Sequence, residues 1–202
     1  MRTSMIFMFV LALASCKVDK EQPPPPRTAP AEERFEPLAA SPGRVRSDDG
    51  RIAGPEPERP GWECLEERHG DAQAAAVALR CRRENPREFL FLAAKTHRQP
   101  ADQRTDAHTL LMSLYRADNQ AFFDRVEYLR DGPAKVAGVD GWEAELEAEH
   151  ARLGLVRKRE RLAILGDRVY AISVEGKPEL WTSHQAAIDR WFAEVEFALP
   201  SE

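Results

Sequence analysis

Residues 142–150 alternate strictly between apolar and acidic side chains, and this alternation restricts the possible fold more than any other feature. Successive side chains of a β-strand point to opposite faces of a sheet, whereas a helix repeats about every 3.6 residues. The segment is therefore predicted to be a strand with one apolar and one acidic face. The apolar face carries Trp142, Ala144, Leu146 and Ala148, and the acidic face carries Glu143, Glu145, Glu147 and Glu149.

A second alternating segment follows, in which arginines take the place of the glutamates. Its basic residues are Arg157, Arg159 and Arg161, and they alternate with Val156, Lys158, Glu160 and Leu162. A turn at 152–154 would place Glu149 opposite Arg157, Glu147 opposite Arg159 and Glu145 opposite Arg161. Each such pair contributes roughly 0.2–1 kcal/mol, and a shift of one residue would move the glutamates among apolar side chains. The pattern predicts an antiparallel hairpin with a solvated, salt-bridged face.

The C-terminal segments extend this hairpin and add a helix. Gly166-Asp167 predicts a turn into a third strand over 168–174, whose apolar side chains Tyr170, Ile172 and Val174 should continue the face of Trp142. After the break at Gly176-Lys177-Pro178, Thr182 or Ser183 can cap a helix. Residues 195–199 are either the last turn of that helix or a short edge strand.

The segments before the alternating strand predict a hairpin and helical structure. Residues 74–81 and 88–95 are short and apolar, which favours two paired strands. Residues 105–130 have helical periodicity, with Thr105 or Asp106 as the cap, and fit two helices or one kinked helix that ends at Gly132-Pro133. We therefore predict one α+β domain over 61–202, with an antiparallel sheet, a C-terminal three-strand meander and packed helices.

This order of elements resembles the PsbP-like family, which includes the periplasmic DcrB lipoproteins and the extrinsic photosystem protein. The resemblance covers residues 72–199. It rests on the third strand, Arg168-Val169-Tyr170-Ala171-Ile172-Ser173-Val174, and on the following helix that ends near Phe197. The resemblance implies an α/β/α sandwich that binds or scaffolds other proteins, and it implies no catalytic residues.

The N-terminus has the pattern of an export signal. An apolar run from Met5 to Leu13 follows Arg2 and is too short to span a bilayer, which needs about 20 apolar residues. It closes on Leu13-Ala14-Ser15-Cys16, which resembles the lipobox of bacterial lipoproteins. The resemblance implies that residues 1–15 are removed and that Cys16 is acylated and inserted in a bilayer. Because Lys17 and not aspartate follows the cysteine, it also favours the outer membrane. An ordinary secretory signal is the alternative.

Residues 16–60 have the composition of a tether. Ten of the 15 prolines lie in 17–60, and large apolar side chains are few. Such a segment buries too little apolar surface to offset the entropy of ordering it. Its eight basic and nine acidic residues nearly balance, which argues against a nucleic-acid-binding arm.

The cysteines agree with export. If Cys16 is lipidated, Cys64 and Cys81 remain as a pair, and an even number of cysteines in an oxidising compartment predicts a disulfide. Two buried free thiols are the alternative. A zinc site is not expected, because the two cysteines lack the close spacing of zinc ligands.

No familiar catalytic, nucleotide-binding or cofactor motif occurs in the sequence, so neither a cofactor nor a catalytic residue is predicted. The five histidines are scattered, and no metal site is predicted from them: His69, His97, His108, His150 and His184. Trp181 lies between a strand-breaking loop and a helix cap. It is either an exposed anchor for a partner or an apolar contact at the start of the helix.

These patterns support two hypotheses about function. The first is a membrane-anchored envelope lipoprotein whose domain binds an envelope protein or a cell-wall component without catalysis. The alternative is a small envelope hydrolase whose site assembles from residues distant in the sequence. A concave pocket with converging polar groups would favour the enzyme, and an exposed apolar surface would favour the binding protein.

Overall fold

The structure, a computed structural model, describes residues 34–57, 61–69, 76–83, 89–99 and 101–201. The strands are β1 (Arg44–Arg46), β2 (Ile52–Pro55), β3 (Trp62–His69), β4 (Ala76–Arg83), β5 (Leu90–Arg98), β6 (Arg125–Val136), β7 (Val139–His150), β8 (Gly154–Leu165), β9 (Arg168–Gly176) and β10 (Glu196–Phe197). The helices are α1 (Ala107–Phe122), α2 (Pro178–Ser183) and α3 (Gln185–Glu194), with a short 3-10 helix at Ala101–Gln103.

Within these residues, two antiparallel sheets are present. The larger has the strand order β3-β4-β5-β9-β8-β7-β6, and the smaller has the order β1-β2-β10. Strands β6 to β9 follow one another as a meander, and β4 pairs with β5 as the sequence predicted. The α+β class and the antiparallel sheet are confirmed.

Helix α1 covers one face of the large sheet. It begins at Asp106, whose carboxylate accepts a hydrogen bond from the Thr109 amide at 2.9 Å, so the expected cap is confirmed for this residue. Leu111 and Tyr115 are fully buried against the apolar side of β7. The Tyr115 hydroxyl donates to the Ala144 carbonyl at 2.9 Å, which satisfies the polar end of this buried ring.

Helices α2 and α3, with the small sheet, cover the opposite face. Ile188 and Trp191 of α3 are fully buried and share one core with Ile52 of β2 and Leu92 of β5. In the described part of the chain, no helix is both long enough and apolar enough to span a bilayer.

The apolar residues of β9 lie on the opposite face from the one predicted. Ile172 pairs with Arg161 of β8, so it shares the face of the arginines and not that of Trp142. Tyr170 and Val174 lie on the same side as Ile172 and are fully buried there. Because helices cover both faces of this central strand, its sequence is a nearly continuous apolar run.

The hairpin of β7 and β8 forms with a different register. The pairs are Glu147 with Arg157, Glu145 with Arg159 and Glu143 with Arg161, so the predicted register was wrong by two residues. His150 pairs with Gly154, and its Nδ1 atom accepts the Arg152 and Leu153 amides at 3.1 and 3.2 Å. Displacing the centre of a turn by one residue changes the pairing by two, which leaves every side chain on its face. The predicted shared face of glutamates and arginines is therefore correct.

Residues 125–130 form strand β6 and not the second helical segment that was predicted. The strand pairs with β7 and has a bulge at Leu129, which interrupts the two-residue alternation. Gly132 and Pro133, predicted to end a helix, lie inside this strand. Proline is tolerated there because β6 is at the edge of the sheet.

Residues 44–55, which the sequence analysis assigned to the tether, belong to the folded domain. They form β1 and β2, and Ile52 is fully buried. The predicted boundary at residue 60 is therefore too late, because this proline-rich segment still supplies apolar side chains to the core. Cys16 and the rest of the predicted signal and tether as far as residue 33 lie outside the described residues.

The helical region after β9 also differs from the sequence prediction. Thr182 and Ser183 lie inside or at the end of α2 and do not cap a helix, and His184 is the N-cap of α3. Pro178 occupies the first turn of α2, where its missing amide hydrogen costs no hydrogen bond. Of the two alternatives for 195–199, the short edge strand is correct.

A candidate ligand-binding cleft

A cleft of about 350 Å³ opens where the ends of β2, β3 and β4 meet the junction of α2 and α3. It brings together residues that are far apart in the sequence. Its walls are formed by Pro55, Glu56, Pro57, Trp62, Arg83, Leu92, Ser183, His184, Ala186, Ala187, Arg190 and Trp191. This volume, with mixed apolar and polar walls, is typical of a small-molecule site.

One wall is the cross-strand pair Trp62 and Arg83. The Arg83 guanidinium lies over the Trp62 ring, 5.6 Å from its centroid. Gly61 precedes the strand with a φ of +111°, and a Cβ atom at this position would lie 2.6 Å from Arg83 Nη1. Glycine therefore provides both the backbone conformation and the space that the guanidinium occupies.

The disulfide lies two residue pairs further along these strands, on the same face as Trp62 and Arg83. Cys64 lies opposite Cys81, with the Cα atoms 4.0 Å apart, and their sulfur atoms are bonded. Cys81 is fully buried in the core beneath the cleft. The disulfide that the sequence analysis expected is thus present, and it joins the two strands that carry Trp62 and Arg83.

The opposite wall is the junction of α2 and α3. The His184 and Trp62 rings meet edge to face, with centroids 5.8 Å apart. His184 Nδ1 lies 3.1 Å from the Leu180 carbonyl and 2.9 Å from Ser183 Oγ. His184 is the N-cap of α3, and its side chain accepts no hydrogen bond from the amides of the first turn.

Ser183 and His184 do not have the arrangement of a nucleophile and its base. A serine nucleophile gives its proton to an imidazole that a third group orients. Here Ser183 Oγ also lies 3.1 Å from the Leu180 carbonyl, the oxygen that His184 Nδ1 approaches too. Both side chains approach the same backbone carbonyl. They therefore stabilise the turn between α2 and α3 and are not arranged to transfer a proton to a substrate.

The floor of the cleft is rigid. Trp191 is fully buried, and its Nε1 atom donates to the Ala93 carbonyl at 3.2 Å. Gly54 packs against this ring so closely that a Cβ atom would lie 2.8 Å from Trp191 Cζ3. A floor held by both packing and a hydrogen bond favours a preformed site.

Three of the four glutamates on the predicted acidic face of β7, Glu143, Glu145 and Glu147, are paired with arginines, as predicted. Arg157 Nη2 lies 2.5 Å from Glu145 Oε1, and Arg159 Nη2 lies 2.8 Å from Glu143 Oε2. Only 8% of Glu143 and 5% of Glu145 are exposed, so the prediction that this face is solvated was wrong for these two residues. The arginine side chains lie over the carboxylates, which makes this cluster structural.

Burial alone would raise the pKa of Glu143. The hydrogen bonds and charges of Arg161 and Arg159 outweigh that effect, so the pKa of this carboxyl is below its ordinary value. Glu143 is therefore held as a carboxylate, which is unsuited to a general acid.

Trp181 is not an exposed anchor. It lies inside α2 and is only 3% exposed, so the partner-contact alternative is excluded by burial. The Arg157 guanidinium lies 5.1 Å from its ring centroid. The residue packs into the core instead of standing before the helix cap.

The sequence analysis did not identify the residues of the cleft. Trp62 and Arg83 belong to the successive strands β3 and β4, and His184 and Arg190 come from the other end of the domain. The available signal was the position of Trp62 two residues before Cys64, because an antiparallel pairing of Cys64 with Cys81 also places Trp62 opposite Arg83.

The comparison with known proteins places the fold. No family model and no curated protein sequence matches the chain. Among solved structures, the solution structure of cyanobacterial PsbP (CyanoP) from Synechocystis is similar, with a TM-score of 0.53, 10% identity and coverage of 76% of this chain and 91% of that chain. The crystal structure of LpqN, involved in cell envelope biogenesis of Mycobacterium tuberculosis, has a TM-score of 0.50, 11% identity and coverage of 77% and 90%. The chain has a PsbP-like fold, as the sequence predicted.

Proposed function

We propose that the protein is an exported, lipid-anchored protein of the bacterial cell envelope whose domain binds a ligand in the cleft without converting it. The observation that carries the proposal is the Cys64–Cys81 disulfide, together with an N-terminal sequence that has the pattern of an export signal ending in Leu13-Ala14-Ser15-Cys16. Disulfides persist in oxidising compartments, so the fold and the signal agree on a location outside the cytoplasm.

The anchor would be acylated Cys16, in the outer membrane because Lys17 follows it. Several acyl chains give stable attachment where one chain gives only marginal binding. The similarity to LpqN, a protein involved in cell envelope biogenesis, supports an envelope role. The partner would accordingly be an envelope protein or a cell-wall component.

Binding is favoured over hydrolysis by the geometry of Ser183 and His184. Both approach the Leu180 carbonyl, whereas a small hydrolase would need the hydroxyl presented to substrate.

Two measurements test this proposal. Mass spectrometry of the protein from native membranes should find a lipid-modified Cys16 as the first residue, and Cys16→Ala should release the protein from the membrane fraction. A mature chain that starts elsewhere would contradict the anchor.

Occupancy of the cleft is tested by photo-crosslinking in intact cells. A benzophenone side chain at Ala186, which lines the cleft, should give a ligand adduct, and one at exposed Ala121 on α1 should not. Equal labelling at both positions, or turnover of an envelope substrate by the purified protein, would contradict a non-catalytic binding site.

A further inference from the structure

We propose that the cleft recognises an anionic head group, a carboxylate or a phosphate, which Arg83 and Arg190 bind from its two sides. The proposal rests on the proposed binding function and specifies the chemistry of its ligand. The arginines reach the cleft from different elements, Arg83 from β4 and Arg190 from α3.

The charges of the cleft walls favour an anion. Among the described residues that line the cleft, Arg83 and Arg190 are basic and Glu56 is acidic. Arg190 pairs with Glu194 on its own helix through Nε, at 3.2 Å from either carboxylate oxygen. A guanidinium carries further N–H donors on its terminal nitrogens, in the fork that matches carboxylate and phosphate.

Arg83 is positioned before any ligand arrives. Its guanidinium is confined between the Trp62 ring and the backbone at Gly61, where a Cβ atom would collide with it. The disulfide two pairs further along the strands fixes the alignment of Trp62 with Arg83. A preorganised side chain loses little entropy on binding, which increases affinity.

The first turn of α3 adds to the positive charge that Arg83 and Arg190 bring to the cleft. Ala186 and Ala187, the second and third residues of this helix, line the cleft, and the N-terminus of a helix carries partial positive charge. The amides there supplement the two guanidinium groups.

The other walls define the rest of the ligand. Apolar groups lie next to the charged ones, namely Pro55, Pro57, Leu92, Ala187 and Trp191. The site therefore suits an organic anion, with a small apolar part beside its head group, better than a bare inorganic ion.

The test uses the full-length protein in non-ionic detergent and the probes benzoate, phenyl phosphate and neutral benzamide. Binding is followed by NMR through the indole N–H signals of Trp62 and Trp191, with Trp142 and Trp181 as internal references. We expect benzoate or phenyl phosphate to shift the first two signals and benzamide to shift them much less. The tighter of the two anions identifies the head group.

The variants Arg83→Gln and Arg190→Gln should each weaken binding of the anion by about tenfold or more. The affinity of Arg83→Lys for the anion should lie between those of the wild type and Arg83→Gln, because lysine keeps the positive charge and loses the paired N–H donors of the guanidinium. The matched control is Arg82→Gln on the same strand, whose side chain pairs with Glu63 on the opposite face of the sheet and should leave affinity unchanged.

Three results would overturn the proposal. They are equal binding of benzamide and benzoate, a loss of affinity in Arg82→Gln as large as that in Arg83→Gln, and the absence of a shift of the Trp62 and Trp191 signals with either anion. Those results would leave the lipid at Cys16 and the Ala186 adduct in place, so they would refute only the anion chemistry. A protein that binds the anions but carries no lipid would refute the envelope anchor alone.

Discussion

Glu143 lies opposite Arg161 across β7 and β8, and its Oε2 atom also accepts a hydrogen bond from Arg159 Nη2 at 2.8 Å. Because these contacts lower the pKa of Glu143 from its ordinary value of 4.5, the carboxylate stabilises the fold above that pH. The stabilisation is lost as the pH falls from about 4.5 through the lower pKa of the folded state. We expect the free energy of unfolding in urea to decrease in that range, and less steeply in Glu143→Gln.

At neutral pH, Glu143→Ala should lower the free energy of unfolding by about 3 kcal/mol, because it removes the buried carboxylate that the partly buried Arg159 and Arg161 bind. The control is Glu147→Ala, whose carboxylate is 28% exposed and 4.0 Å from Arg157. It should cost less than about 1 kcal/mol. If both variants lost the same free energy of unfolding, burial of the carboxylate would not determine how much the ion pair contributes to stability.

Removing the disulfide should destabilise the domain. The bond joins residues 17 apart in sequence, and a loop of this size corresponds to about 3 kcal/mol in the chain-entropy model. We expect Cys64→Ala/Cys81→Ala to lower the urea midpoint accordingly. Reduction of the wild type should have the same effect, and a midpoint insensitive to reductant would show that the thiols are free.

Gly54→Ala should disturb the floor of the cleft, since the new Cβ would lie 2.8 Å from the Trp191 ring. Overpacking of this kind costs about 1–3 kcal/mol. Gly132→Ala is the matched control, because no atom lies within 4 Å of its Cβ position. Thermal unfolding compares the two, and an unchanged midpoint for Gly54→Ala would mean that Trp191 can move aside.

Trp181→Ala should act on stability rather than on binding. The side chain is 3% exposed, and loss of a buried tryptophan costs about 3–5 kcal/mol. Phe122→Ser, at a side chain that is 62% exposed, should cost less than about 1 kcal/mol. Urea unfolding measures both variants. A midpoint for Trp181→Ala equal to that of the wild type would show that the Trp181 side chain does not lie in the core.

The strands of the meander could be predicted because their alternation is local information. The faces of Glu147 and Arg157 followed from it, but their pairing depended on how His150 closes the turn, which one sequence does not reveal. Strand β6 was missed because the bulge at Leu129 breaks the alternation and brings apolar residues to helical spacing.

Tertiary contacts explain the other differences. Ile52 lies in a proline-rich segment, and it enters the core through contacts with distant residues, among them its partner Phe197 of β10. The cleft depends on the same kind of contact, because Trp62 meets His184 only after the helices have packed on the sheet. Patterns within single segments cannot predict such contacts.

The ends of the described domain meet. Phe35 forms a bridge with Pro200, and the Ser201 amide donates to the Arg34 carbonyl at 3.1 Å. Both ends of the domain therefore emerge at the same place. A reporter fused after Ser201 would lie beside the point where the N-terminal segment joins the domain. A mechanical force on that segment would act first on the contacts of Arg34 and Phe35 with Ser201 and Pro200, and only then on the large sheet.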